Sequence, residues 1–93
     1  MTTPTYLFKL YITGQTARSA TAITNLQRVC DQWIPGQYQI VIVDVLEEPH
    51  LAETEHILAT PTLVRAYPPP RQRIIGDLSD LNRVAITLGL TAH

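Results

Sequence analysis

"ILATPTLVRAYPPPRQRIIGDLS", residues 57–79, is the stretch on which the fold turns. A lone Pro61 lies between Thr60 and Thr62, and three consecutive prolines, Pro68, Pro69 and Pro70, separate "TLVRAY" from "RQRII". Both flanking runs are rich in branched or aromatic residues and read as strands. Proline fixes φ and has no backbone N–H to donate, so it bounds strands and is kept out of their interiors. The two runs are therefore expected to pair around the triple proline. Three roles stay open for these prolines: punctuation of a stiff hairpin loop, an active-site device, or a switch built on slow X-Pro isomerisation.

Outward from this stretch, the chain alternates strand and helix signals. "TYLFKLYI", Thr5 to Ile12, is apolar on both alternating faces except at Lys9, the pattern of a central strand covered on both sides. Thr13-Gly14-Gln15-Thr16 is a turn, with Thr16 or Ser19 available as a helix cap. Ile23, Leu26, Val29, Cys30 and Trp33 then recur at spacings of three and four, an apolar helical stripe that Pro35-Gly36 ends. "YQIVIVDVL", Tyr38 to Leu46, is a second strand, and Pro49 fits the first turn of a short helix reaching about Ile57. After the proline-bounded pair, Leu78, Leu81, Val84, Ala85 and Leu88 form the stripe of a last helix, capped by Asp77 or Ser79. The expected order is β-α-β-α-β-β-α, an α/β fold whose first two strands are parallel across a helix. One segment fits two periods. Val84, Ile86, Leu88 and Leu90 alternate as a strand face would, and Gly89 argues against a long helix.

The 93 residues are expected to form a single domain over 1–93, long enough to bury roughly 60–70% of the unfolded surface without a metal or disulfide staple. A net charge of −1 favours neither nucleic acid nor an anionic membrane. Locally, Glu47, Glu48, Glu53 and Glu55 are followed by Arg65, Arg71 and Arg73, which reads as solvated faces or as a polar partner surface. The single Cys30 forms no internal disulfide and fits a reducing compartment. The N-terminal residues show no basic leader followed by an apolar run, and no apolar stretch reaches the ~20 residues of a membrane span. A cytoplasmic protein is expected.

No Ser/His/Asp set, glycine-rich phosphate loop or paired carboxylate is visible, so no catalytic residues are assigned and no enzyme is expected. His50, Glu53 and His56 lie close in sequence, but on a helix the two histidines point about 120° apart. No metal or cofactor is expected. Tyr6, Tyr11, Tyr38 and Trp33 read as core or subunit-interface residues.

Thr60-Pro61-Thr62 before the third strand resembles thioredoxin, where the proline faces two redox cysteines at the start of the first helix. That chemistry needs one thiolate to attack and a second to resolve. The matching turn here, "GQTARSA", residues 14–20, has no cysteine, and Cys30 belongs to the apolar stripe. The expectation is a thioredoxin-like shape without thioredoxin chemistry.

A longer resemblance covers nearly the whole chain. "KLYITGQT" (9–16), "VIVDVLEEPHLAE" (41–53) and "ILATPTLVRAYPPPRQRIIGDLSD" (57–80) together resemble the KaiB family of circadian clock proteins. The resemblance implies a metamorphic, non-enzymatic regulator. Its resting form is a homotetramer, a dimer of dimers, with order β-α-β-β-α-α-β. A rare monomer with the thioredoxin-like order binds the ATPase ring of KaiC, captures KaiA and displaces the histidine kinase SasA. The resemblance also implies partner-binding roles for Lys9, Pro49, His50, Glu53, His56 and Arg73, and switching roles for Pro61, Pro68, Pro69, Pro70, Thr87 and Gly89. Proline isomerisation takes tens to hundreds of seconds, so it can slow a switch but cannot set a day-long period. A scarce competent state lowers apparent affinity in proportion to its population.

Some positions depart from the family pattern. His56 stands where lysine is expected, and Val41 and Thr21 stand where basic residues are expected. Thr87 and Gly89 replace a Gly-x-Asp pair that influences resting-state stability, and the sequence stops at His93 without the expected acidic tail. These departures keep an alternative open: a divergent paralogue acting in stress adaptation with a different partner.

Overall fold

A computed structural model describes residues 5–90. The elements run β1 (Tyr6–Ile12), α1 (Ala17–Trp33), β2 (Tyr38–Asp44), α2 (Pro49–Thr54), β3 (Thr62–Tyr67), β4 (Gln72–Ile75) and α3 (Leu81–Thr87). This is the order read from the sequence, including every element after Leu46. The strands form one sheet in the order β2-β1-β3-β4. β1 pairs in parallel with β2 and antiparallel with β3, and β3 pairs antiparallel with β4 across the triple proline. A bulge interrupts the β1–β3 register between Leu7 and Phe8.

The alternation of β1 explains its central place. Phe8, Leu10 and Ile12 point to one face, where they meet Leu26, Val29 and Cys30 of α1, Leu63 of β3 and Val84, Ala85 and Leu88 of α3. Tyr11 points to the other face with Val43 and Val64, against which Leu51 and Ile57 pack. α1 and α3 therefore cover one side of the sheet and α2 covers the other. Full burial of a Leu or Val side chain contributes about 1.5–3 kcal/mol, so the α1 stripe supplies much of the drive to fold.

Local chemistry sets the element ends. Thr16, not Ser19, caps α1: its Oγ1 accepts from the Ser19 N–H at 3.1 Å. The expected run of β2 to Leu46 is shortened to Asp44, because the Asp44 carboxylate accepts from the Leu46 N–H and turns the chain. The expected reach of α2 to Ile57 is likewise too long. The helix ends at Thr54, and His56 takes the left-handed region at φ 56°. The α3 cap is Asp80 rather than Asp77 or Ser79, since its Oδ1 accepts from the Arg83 N–H. Asp77 instead accepts from the Ser79 N–H within the preceding loop.

The ambiguous Val84–Leu90 run is helical to Thr87 here. The helical period buries Val84, Ala85 and Leu88 and leaves Ile86 67% exposed, which a strand face including Ile86 would not do. A Schellman turn stops the helix: Gly89 N–H reaches Ile86 O, Leu90 N–H reaches Ala85 O, and Gly89 sits at φ 73°.

Leu26→Ala is expected to lower stability by about 2–5 kcal/mol in urea unfolding, since it empties a fully buried site. Thr24→Ala on the exposed face of α1 is expected to cost less than about 0.5 kcal/mol. Equal losses would contradict the assigned face.

Candidate functional site

The sheet register carries one row across all four strands. Val41 of β2 pairs with Lys9 of β1, Lys9 with Val64 of β3, and Val64 with Arg73 of β4. All four point to the α2 side, the face of Val64 and Val41. Lys9 and Arg73 thus stand two strand spacings apart, about 10 Å, with Val64 between them. α2 is too short to cover the whole face. It shields Tyr11 and Val43, while Lys9 and Val41 stay half-buried beside it.

Arg73 also fixes the end of α2. Its Nη1 donates to His56 O at 3.0 Å and its Nη2 to Glu55 O at 2.6 Å, capping carbonyls at the helix C-terminus. The Glu55 carboxylate accepts from Arg71 and lies 3.9 Å from Arg73 Nη2. The His56 ring Nδ1 is 3.3 Å from Glu53 O. At the opposite end, Pro49 opens the helix, and His50 O accepts the Thr54 hydroxyl at 2.9 Å. The β2–α2 turn is held to the β1–α1 turn by Asp44, whose Oδ1 accepts from the Gly14 N–H at 3.1 Å and the Leu46 N–H at 2.9 Å.

Of the residues singled out in the sequence, Glu53, His56 and Arg73 meet at one end of α2, Pro49 and His50 lie exposed at the other, and Lys9 shares the row of Arg73. Pro61 is buried, and its carbonyl accepts from the Gly76 N–H at 2.9 Å; the Thr60–Pro61, Tyr67–Pro68 and Pro69–Pro70 bonds are cis. Thr87 and Gly89 end α3, on the opposite side of the sheet from α2. Glu55 is the organiser the sequence reading passed over. It appeared there only as one of four acidic residues, although the Arg71-x-Arg73 spacing at the start of β4 offers two cations to a single carboxylate. Among the described residues no group of three His, Cys, Asp or Glu side chains could hold a metal ion.

The thioredoxin-like redox position holds no reactive thiol. The first turn of α1 carries Thr16 as a cap and no thiol. Cys30 is fully buried, and burial pushes its thiol up to about 12, with the Asp31 carboxylate adding to the effect. Burial also raises the Tyr11 phenol; the Glu55 carboxylate adds to this, and Arg71 and Arg73 oppose it.

The family model for the KaiB domain matches residues 9–90. The chain belongs to the KaiB family. It is 48% identical over 84 residues to the circadian clock protein KaiB3 of Synechocystis sp., covering 90% of this chain and 82% of the relative. It is 50% identical over 86 residues to the circadian clock oscillator protein KaiB of Prochlorococcus marinus, covering 92% and 74%. KaiB proteins are non-enzymatic regulators, and the dithiol-free helix start agrees with that class.

The solved structures with this shape place the KaiB chain in the thioredoxin-like fold. The N-terminal domain of Synechococcus elongatus SasA superposes with a TM-score of 0.76 at 21% identity, covering 100% of this chain and 91% of that one. Mitochondrial thioredoxin 3 of Saccharomyces cerevisiae gives 0.68 at 20% identity, covering 97% and 80%. No helix among the described residues is long and apolar enough to cross a membrane.

At pH 8, a disulfide thiol reagent is expected to modify native Cys30 at least tenfold more slowly than the guanidinium-unfolded chain, because the buried thiol is neutral and shielded. Matching rates would contradict its placement in the core.

Proposed function

We propose that this chain is a KaiB-type clock regulator that binds the ATPase ring of a KaiC protein, and that it does so in the thioredoxin-like arrangement. The observation that carries this reading is the KaiB family match over residues 9–90, on a fold that the N-terminal domain of SasA shares. Two chains with one backbone can offer the same face to one partner, which supports competition with a SasA-type kinase. The docking surface is the α2 side of the sheet. Lys9 and Arg73 supply positive charge, and Pro49, His50, Glu53 and His56 line the helix that stands on it. The bound form then captures KaiA. The chain works in the cytoplasm, as a single domain without cofactor, and rests as a homotetramer in which the back half is packed differently.

Switching falls to the segment from Pro61 to Gly89. Pro61, Pro68, Pro69 and Pro70 bound its strands, and Thr87 and Gly89 end its helix. The double period of Val84 to Leu90 supports two packings of similar free energy. If the competent arrangement is scarce, ring capture is slow and its apparent affinity falls in proportion.

A second reading is favoured by particular residues. Val41 stands half-buried at the β2 end of the row without charge, and Thr21 is likewise neutral. A paralogue with another partner, serving stress adaptation, would show that loss of basic surface.

The test is to incubate the pure chain with a cognate KaiC-type ring for a day, in ATP and in ADP, and to follow the complex by native mass spectrometry. A complex is expected, and Lys9→Glu should slow its formation by roughly tenfold through lost electrostatic steering. No complex in either nucleotide would overturn the first reading. A deletion strain with normal stress tolerance and an altered rhythm would exclude the second.

A further inference from the structure

One arginine in the sequence's basic cluster does not behave as a surface charge. Arg65 of β3 is 8% exposed and points to the α1/α3 side of the sheet, the side of Leu63. Its guanidinium meets no carboxylate among the described residues. Instead Nη1 donates to Leu88 O at the end of α3, and Nη2 donates to Pro70 O in the triple-proline loop at 2.7 Å. Nε is buried and has no hydrogen-bond partner among the described residues. Burying a cation on two carbonyls alone is costly, so its presence in a small core calls for a role.

The end of α3 shows what that role is. The last turn of α3 holds no basic residue of its own. The Schellman turn satisfies the carbonyls of Ala85 and Ile86, and the Leu88 carbonyl is left for Arg65. A positive charge at this point also complements the negative end of the helix. Gly89 makes room for it: a Cβ there would lie 3.3 Å from Arg65 Nη1, on a backbone at φ 73°.

We infer that Arg65 is an internal latch, a positioning residue that clamps the end of α3 and the triple-proline loop to β3 and so holds the back half in the thioredoxin-like arrangement. One fork of donors on β3 reaches two separate segments. A lysine ammonium is a point donor and cannot hold both carbonyls in the same way. The latch's link to ring capture rests on the function proposed above.

Amide hydrogen exchange of the full chain tests it. In the wild type, the Leu88 and Leu90 amides are bonded to the Val84 and Ala85 carbonyls at 2.9 Å each. Arg65→Met is expected to speed their exchange by roughly tenfold or more relative to the Phe8 and Leu10 amides of the same molecule, with Arg65→Lys intermediate. Global stability is a poor readout, because removing a buried charge also removes its desolvation cost. If Arg65→Met fails to fold, Arg65→Lys decides by the same ratio. A uniform change across the chain, or none, would overturn the latch. A parallel mixture with a KaiC-type ring separates the two ideas: no capture even by the wild type counts against the function, and the exchange ratio still judges the latch.

Discussion

The burial of β1 on both faces and both edges is the constraint on which everything else depends. A strand in that position must satisfy its backbone through two partners and its side chains through two layers. Parallel pairing with β2 requires the α1 crossover, and antiparallel pairing with β3 brings the second half of the chain to the same sheet. Phe8, Leu10 and Ile12 then dictate where α1 and α3 sit, and Tyr11 dictates where α2 sits. Lys9 is the one polar interruption. It marks the part of the face that α2 leaves open, which is why the candidate docking surface lies there.

The two halves of the molecule are secured differently. The β1-α1-β2 unit is held by a long apolar stripe and a complete parallel ladder. The back half depends more on individual polar ties: Asn25 Nδ2 to Asp77 O at 2.8 Å, Arg73 and Arg71 at the end of α2, and Arg65 at the end of α3. Its strand β4 spans four residues and has one neighbour. Directional ties of this kind can be exchanged as a set, whereas a packed stripe cannot. The proposed switch of the back half would exchange these ties while leaving the front half in place.

Much of this was legible in the sequence, for identifiable reasons. Periodicity revealed every element, because α1 and β1 carry clean apolar patterns and proline bounds β3 and β4 unambiguously. The turn of α1 without cysteine already excluded dithiol chemistry. Ends were less legible: the Asp44 and Asp80 side chains choose their backbone partners only once the turns exist, and the left-handed His56 that stops α2 has no sequence marker comparable to a glycine. The row that joins Val41, Lys9, Val64 and Arg73 was not legible, since register across four strands is a tertiary fact. Arg65 is neither the solvated charge nor the partner-surface charge that its place in the basic run suggests, for the same reason. Nothing local distinguishes it from Arg71 or Arg73, although strand alternation from the buried Leu63 puts it on the core side.

The most direct measurement is the backbone NMR spectrum of the isotopically labelled chain bound to a cognate KaiC-type ring, read through secondary chemical shifts of residues 60–90. Docking in the arrangement described here predicts extended shifts over Gln72–Ile75 and helical shifts over Leu81–Thr87. Extended shifts across Val84–Leu90 in the bound chain would contradict it.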